Sequence, residues 1–588
     1  MIDKKTASFV QALCMGQIEE EVVLPYPEMK QAEKETLEQV IASVNQLLGG
    51  RAKDFREWDA RGEMPAAFIE ELKSFGLFGL VIPEEHGGLG FGSAAYSRAL
   101  QEIAKHDGSV ALTVGAHSSI GMRGLLLFGS DAQKKRYLPR LATGELIAAF
   151  CLTEPGSGSD AASIRTTAVK QGDHWLLNGD KLWITNGGFA EFFTVFAKTP
   201  DIQKNGKAQL TAFIVTRDLP GVSVGPHEDK MGIRASSTTT VHFEDVKVPD
   251  ENVLGEVGMG FKTAMRILNA GRTGLGGGCV GGMKRLIALA TKQAKERKQF
   301  GKSISEFGLV KQKIGEMVVD CYATEAVVGL VAGLVDQGYQ DYAVEAAISK
   351  VFGTEALWHS SDEALQIAGG NGYMREFPYE RVLRDSRINR IFEGTNEILR
   401  LFIALTAMND VAVQLKDVQQ SLRAVLADPI KGFGVLSDYA LRVAAIRAPQ
   451  QLGERFGEKL TWKQLHPALQ QTAEHFEEAT RELAWVSDRV LRRHGRHIID
   501  KQFALKRIAD ILIDLFVLAA VMSRVDGSLK KKGEEQAARE LEILRVFARR
   551  ARGRIRGNLR RVDVNDDELV KRLADDAFER EAYGWDLI

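Results

Sequence analysis

Residues Arg384–Arg400 read RDSRINRIFEGTNEILR, and at their centre stands Glu393. It is one carboxylate between Phe392 and Gly394, immediately before a helix start. Thr395 and Asn396 are good N-cap types, and Ile398, Leu399 and Phe402 supply an apolar helical face. Gly394 lets the backbone take a conformation that a residue with Cβ resists. A carboxylate held there can point into a cavity while the helix behind it packs. Glu397, in the first helical turn, suits the helix dipole. By itself the stretch reads equally well as a surface loop, the usual place for a Glu.

Working outward, helical periodicity covers 261–410, in Thr263–Arg285, Leu286–Phe300, Leu309–Val335 and Tyr342–Ile367. Long helices with short connections predict an antiparallel bundle. The segment GRTGLGGGCVGGMKR (271–285) is glycine-rich for a helix and matches no phosphate-loop pattern, so close packing against a neighbour is expected. Between 149 and 260 the period is strand-like. The runs AAFCL, SIRTTAV, HWLLNG, DKLWIT, EFFTVFAK, AQLTAFIVT and TTVHFEDVKV, separated by turn residues, predict a compact antiparallel β domain.

Residues 1–148 read as helical, including one apolar helix at Thr113–Phe128. That helix carries Gly115, Ala116, Gly121 and Gly124. Each Gly costs about 1 kcal/mol relative to Ala, so something must come close there, a second helix or a ligand. Residues 411–435 read as a linker and 436–588 as a further helical domain. The fold class is therefore mainly α with a central β domain. In the last domain Arg539–Arg561 places arginines 545, 549, 550, 552, 554, 556, 560 and 561 around an apolar stripe. Such a helix is a solvated face, an intersubunit contact or a membrane-surface element.

A chain of 588 residues exceeds one core. Its balance of 77 basic and 78 acidic residues argues against a nucleic-acid binder with a basic face. Cys14, Cys151, Cys279 and Cys321 are far apart, which suggests neither a disulfide framework nor a zinc cluster and fits a reducing compartment. His494 and His497 lack an acidic or cysteine partner nearby, so no metal site is expected. No membrane-spanning run is evident, Ile511–Met522 coming nearest but interrupted by Asp514. The opening residues are too polar for a secretory signal, and those that follow are too acidic for a transit peptide. A soluble, cytosolic or mature matrix protein is expected.

Helices, then a β domain, then a helical bundle with an acidic loop near its end: in this order the chain resembles the acyl-CoA dehydrogenases. FCLTEPGSGSDAASI (150–164), KLWITNGG (181–188), ERKQFGK (296–302), QIAGGNGY (366–373) and IFEGTNEI (391–398) carry the likeness over residues 30–408. PYPE (25–28), TVGAHSSIG (113–121), ILNAGR (267–272) and the extra C-terminal helices resemble the very-long-chain members. The lack of the mitochondrial members' targeting peptide suggests a bacterial one.

The resemblance implies an FAD enzyme that forms trans-2-enoyl-CoA from long-chain acyl-CoA in fatty acid β-oxidation. Electrons would pass to electron-transfer flavoprotein. Glu393 would be the base that removes the α-proton. Some relatives place the base beside Arg272, but Gly271 cannot serve. Phe150, Thr153, Ser159, Trp183, Ile184 and Thr185 would meet the flavin, with Thr395 and Glu397 also against the cofactor. Arg297, Gln299 and Phe300, with Gln366, Gly369 and Gly370, would hold the phosphates and adenosine across a homodimer boundary. Ser159, Asn269, Arg272, Phe392 and Gly394 would line the thioester path. Gly115, Ala116, Gly121 and Gly124 would open an acyl tunnel. Two other readings are an oxygen-using acyl-CoA oxidase and a non-catalytic assembly or binding relative. The location implied is cytoplasmic, with peripheral contact of the C-terminal domain at the inner face of the membrane as one reading.

Overall fold

The structure, a computed structural model, describes residues 8–204, 206–413, 415–416 and 461–587. Most of the expected linker 411–435, and residues 436–460 of the expected last domain, lie outside the described residues. The chain forms two compact units, Tyr26–Ile398 and a second made of Met1–Pro25 with Leu399–Ile588.

In Tyr26–Ile398 the expected order of helices, sheet and helices is present. The carboxylate of Asp107 caps the helix Gly108–Gly115 by accepting from the N–H groups of Ser109 and Val110 at 2.9 and 3.2 Å. The sequence predicts one helix over 113–128. Instead the backbone passes into a π-helical turn at Ala116–Gly121 before Arg123–Phe128. Such turns disturb the regular ladder and are frequent at functional sites.

The sheet has seven strands: β1 (Ala148–Cys151), β2 (Thr167–Gln171), β3 (His174–Thr185), β4 (Phe192–Lys204), β5 (Lys207–Thr216), β6 (Val222–Val224) and β7 (Thr238–Pro249). They run in the order β1-β4-β2-β3-β7-β6, with β5 on β4. Two expectations are corrected. HWLLNG and DKLWIT are one strand, β3, because bulges against β7 absorb the irregularity around Gly179. The sheet is also mixed, since β1 pairs with β4 in parallel, Ala148 beside Phe192 through Cys151 beside Val195.

The expected helices Thr263–Arg285 and Leu286–Phe300 are a single helix, Gly260–Glu296, since no breaker separates them. Its glycines serve two faces. A Cβ at Gly281 would lie 2.1 Å from the carbonyl oxygen of Gln101, and one at Gly277 2.8 Å from that of Ser97. The helix Ser93–His106 therefore lies almost backbone to backbone against this face. Gly274, Gly278 and Gly282 face a cavity instead. Two stretches, Gly108–Phe128 and Gly308–Asp336, are long and apolar enough to cross a membrane by length and composition. Both come nearer to that than Ile511–Met522, but their most apolar windows are 61% and 67% buried within protein.

In the second unit Phe9 is fully buried, its ring 6.1–6.4 Å from those of Trp462, Phe476 and Phe516. The first residues therefore pack with the C-terminal helices, which corrects the expected domain 1–148. Asp514, inside the buried helix Gln502–Lys532, is held by Arg554 at 2.6 Å. The apolar stripe Leu541, Leu544, Phe547, Ile555 and Leu559 of Ala538–Arg561 is buried, which leaves several arginines outward.

Candidate active site

Glu393 sits in a left-handed backbone conformation, φ +58°, followed by Gly394 at φ +92°. Two side chains hold this turn. Arg272 donates from Nε to the Glu393 carbonyl at 3.2 Å, and is itself aligned by the Asn269 side chain at 2.8 Å. Lys350 donates from Nζ to the Gly394 carbonyl and to Asn396 Oδ1, both at 2.8 Å. Strained backbone persists where surroundings over-determine it, typically at functional sites. Trp183 (φ +58°) and Phe300 (φ +52°), two further sequence-predicted residues, share this conformation.

The Glu393 carboxyl oxygen Oε2 is buried and has no hydrogen-bond partner among the described residues. Burial pushes the group up to about 7, opposed by the nearby positive charges of Arg272 and Lys350. Burial likewise lowers the Lys350 ammonium to about 8. A Cβ on Gly271 would lie 3.1 Å from Oε2 and 2.7 Å from Ile120 Cγ2. The absence of a side chain at 271 thus makes room for the acid, beyond being unable to replace it.

From Glu393 a cavity of about 1070 Å³, its mouth included, runs between four walls. One wall is the stripe Gly271, Gly274, Gly278, Gly282 and Arg285 of the long helix. A second runs from Ile120 through Ala116 and Gly115 to Gly108. The third climbs from Phe392 through Asn389 to Asp385, and Leu100 and Ala104 complete the enclosure. At about 1.5 Å per residue, the walls Gly271–Arg285 and Gly108–Ile120 are about 21 and 18 Å long. Gly115 and Ala116 line this space as expected. Gly121 and Gly124 do not: a Cβ at Gly121 would strike the Ala148 carbonyl at 2.8 Å, and one at Gly124 would meet Ile267 and Leu254 at 2.9 Å. Those two glycines permit packing.

Thr185 and Phe392 line the cavity with Glu393. Thr153 lies beside Trp183, because its carbonyl accepts from the Leu182 N–H at 2.9 Å. The Trp183 indole is 62% exposed. Ile184 turns its side chain into the β core at 2% exposure, so only its backbone is available to a ligand. Phe150 packs on Phe196, and Ser159 is exposed outside the cavity lining. Thr395 caps the following helix by accepting from the Ile398 N–H at 3.3 Å, and Glu397 is exposed in its first turn. Gln366, Gly369 and Gly370 are exposed at the end of Ala343–Ala368. Arg297, Gln299 and Phe300 are exposed in a hairpin after the long helix, Phe300 at 93%. Arg297 follows Arg272 by 25 residues of helix, about 37 Å.

Sequence reasoning missed Lys350, and named Asn396 as a cap type without a role inside the protein. Both are fully buried, with Asn396 donating to Thr354 Oγ1 at 3.0 Å and to Glu355 Oε1 at 2.9 Å. The available signal was a lone lysine within the apolar run VEAAISKVFG.

Comparison with known proteins fits this arrangement. The family models described as Acyl-CoA dehydrogenase N-terminal, middle and C-terminal domains match residues 34–145, 149–246 and 258–408. The model described as ACAD9/ACADV, C-terminal domain, matches 467–583. The very long-chain specific acyl-CoA dehydrogenase of Macaca fascicularis mitochondria is 44% identical over 94% of this chain and 84% of its own length. An acyl-CoA dehydrogenase of Bacillus anthracis, solved with FAD, superposes with TM-score 0.79 and 32% identity over 97% of this chain and 94% of its own. A chain from the structure of the electron transferring flavoprotein of Acidaminococcus fermentans does so with TM-score 0.61 and 34% identity, covering 64% of this chain and 98% of that one. With an isolated buried carboxylate at the head of a deep apolar cavity and three family domains in order, the chain belongs to the acyl-CoA dehydrogenase family.

Proposed function

We propose that this protein is an FAD-dependent dehydrogenase of long-chain acyl-CoA thioesters, acting in fatty acid β-oxidation. The observation that carries the chain length is the cavity. Its walls of about 18–21 Å accommodate about 14–16 methylenes at about 1.3 Å each, starting from the carboxylate.

Glu393 takes the α-proton. Among the described residues its Oε2 has no competing donor, and burial brings its proton affinity near neutrality, where a general base is most effective. Arg272 and Lys350 fix the carbonyls on either side of the turn, which holds the carboxylate toward the cavity. The Glu393 N–H has no hydrogen-bond partner among the described residues and serves as a donor to the thioester oxygen as negative charge develops there. Apolar walls exclude water from the reacting carbons.

The residues present fit a flavin: Trp183 offers an exposed aromatic face, and Thr185 a hydroxyl on the cavity wall that Glu393 shares. FAD, when bound, accepts the hydride from the β-carbon. Arg297, Gln299 and Gln366 with its glycines suit phosphates and adenosine. Arg297 stands about 37 Å along the helix from Arg272, beyond Arg285 where the cavity wall ends. In this reading these groups serve the flavin of a second copy, and the working unit is a homodimer.

Electron-transfer flavoprotein is the proposed acceptor, supported by the likeness to a chain solved in work on such a flavoprotein. The proposed location is cytoplasmic, with the outward arginines of Ala538–Arg561 resting on anionic lipid. Steady-state rates with acyl-CoAs of 4 to 20 carbons, under air and anaerobically with electron-transfer flavoprotein, test this reading. A kcat/KM maximum at about 14–18 carbons that needs the flavoprotein supports it. A maximum below about 8 carbons, or rapid turnover with oxygen alone, refutes it.

A further inference from the structure

The far end of the acyl cavity is polar, and dehydrogenation at the near end does not require that. The wall from Glu393 ends at Asp385, the long helix stripe ends at Arg285, and Asn389 lies one turn before Asp385 along the wall. A Cβ on Gly108 would be 3.6 Å from Asp385 Oδ2, so the helix Gly108–Gly115 closes the cavity there with no side chain between.

Four charged groups meet around this end. Arg381 and Asp107 occupy each other at 3.2 Å, and Asp107 also caps its helix. The other two keep bonding capacity toward the cavity. Arg285 donates from Nη1 to the His106 carbonyl at 2.7 Å, and no protein acceptor is found for its Nε or Nη2 among the described residues. Asp385 accepts from the Ile233 N–H on Oδ1 at 2.5 Å, and no donor to its Oδ2 is found there.

A terminal methyl pressed into this end would strip water from a cation and a carboxyl without replacing a hydrogen bond. A carboxylate would satisfy Arg285 but would face Asp385. A hydroxyl suits both, since it is donor and acceptor at once. Resting on the dehydrogenase function proposed above, we infer that the cavity end recognises an ω-hydroxyl group on a long acyl chain. The hydroxyl donates to Asp385 Oδ2 and accepts from the Arg285 guanidinium. The preferred substrates then include ω-hydroxyacyl-CoA thioesters of about 14–16 carbons, the class that a terminal hydroxylation of fatty acids supplies.

Matched pairs of substrates test this on the intact holoenzyme: hexadecanoyl-CoA against 16-hydroxyhexadecanoyl-CoA, and decanoyl-CoA against 10-hydroxydecanoyl-CoA. At about 1.3 Å per carbon the shorter chain stops about 8 Å short of Arg285 and Asp385, beyond hydrogen-bonding reach of either. The hydroxyl should lower kcat/KM about tenfold or more at 10 carbons, yet leave it equal or raised at 16 carbons. Arg285→Met should cut the hydroxy-to-plain ratio at 16 carbons about tenfold and leave the ratio at 10 carbons unchanged. Asp385→Asn, which keeps the acceptor for Ile233, should lower the same ratio. An equal hydroxyl penalty at both lengths in the wild type overturns the inference, whether or not the variants fold. So does an unchanged ratio in folded variants. Failure to turn over either plain thioester would instead defeat the underlying function.

Discussion

Glu393→Gln should stabilise the protein, by an amount that grows as pH rises from about 4.5 to about 7. Burial raises the carboxyl from 4.5 to about 7 in the folded state. The folded chain thus holds this proton more tightly than the unfolded chain, so ionising Glu393 opposes folding. Below pH 4.5 both states are protonated and the effect is absent. It grows through the interval and is complete above about pH 7. At about 1.36 kcal/mol per tenfold change in proton affinity, the raised carboxyl gives about 3 kcal/mol of destabilisation at pH 8, falling to about 1 kcal/mol at pH 5. For the 373 residues of Tyr26–Ile398, an unfolding entropy of about 2.1 cal/mol/K per residue converts these to about 4 °C and about 1 °C in Tm. Gln keeps the shape and removes the ionisation. Differential scanning calorimetry of wild type and variant holoenzymes, without substrate, at pH 5 and pH 8 measures both values. An equal gain at the two pH values, or a loss at pH 8, would refute the account of Glu393 as a carboxylate raised by burial.

Three other outcomes are expected. Gly278→Leu should cut kcat/KM for hexadecanoyl-CoA more than tenfold and spare hexanoyl-CoA in a chain-length series. A Cβ there meets nothing within 4 Å, and the residue lies about 10 Å, or about 8 methylenes, beyond Gly271. The pH profile of kcat/KM should rise through about pH 7 as Glu393 ionises, and Lys350→Met should move that rise to higher pH, because the lysine charge favours the carboxylate. Sedimentation with vesicles of phosphatidylglycerol should capture the protein at low salt and release it at 0.5 M salt, because the Debye length shortens from about 10 Å at 0.1 M to about 4 Å at 0.5 M and screens a surface contact. Replacing exposed Arg545, Arg549, Arg560 and Arg561 by Gln should abolish capture.

The sequence carried the parts of this site that depend on local chemistry. Gly394 does take the left-handed conformation its type permits, Thr395 does cap the next helix, and Gly271 does lie opposite Glu393. What it hid depends on distant closeness. Lys350 looks like an ordinary lysine until Gly394 and Asn396 converge on it. The stripe Gly274, Gly278 and Gly282 is indistinguishable, residue by residue, from Gly277 and Gly281 beside it. Only the placement of Ser93–His106 decides which glycines pack and which open the cavity. Gly121 and Gly124 misled for the same reason, being small because Ala148, Leu254 and Ile267 press on them. The apolar face of Ala538–Arg561 suggested lipid, but it is buried within its own unit, so only charge remains for such a contact.

The most direct measurement is an anaerobic titration of the yellow holoenzyme with hexadecanoyl-CoA, following flavin absorbance, beside Glu393→Gln. Removing the base should slow reduction by about a thousandfold or more, since general-base catalysis contributes about 10²–10⁴ and, among the described residues, the other carboxylate lining the cavity is Asp385 at its far end. Rapid bleaching in the wild type with none on the same timescale in the variant is the predicted result. Bleaching at equal rates in both would contradict the assignment of Glu393 as the base.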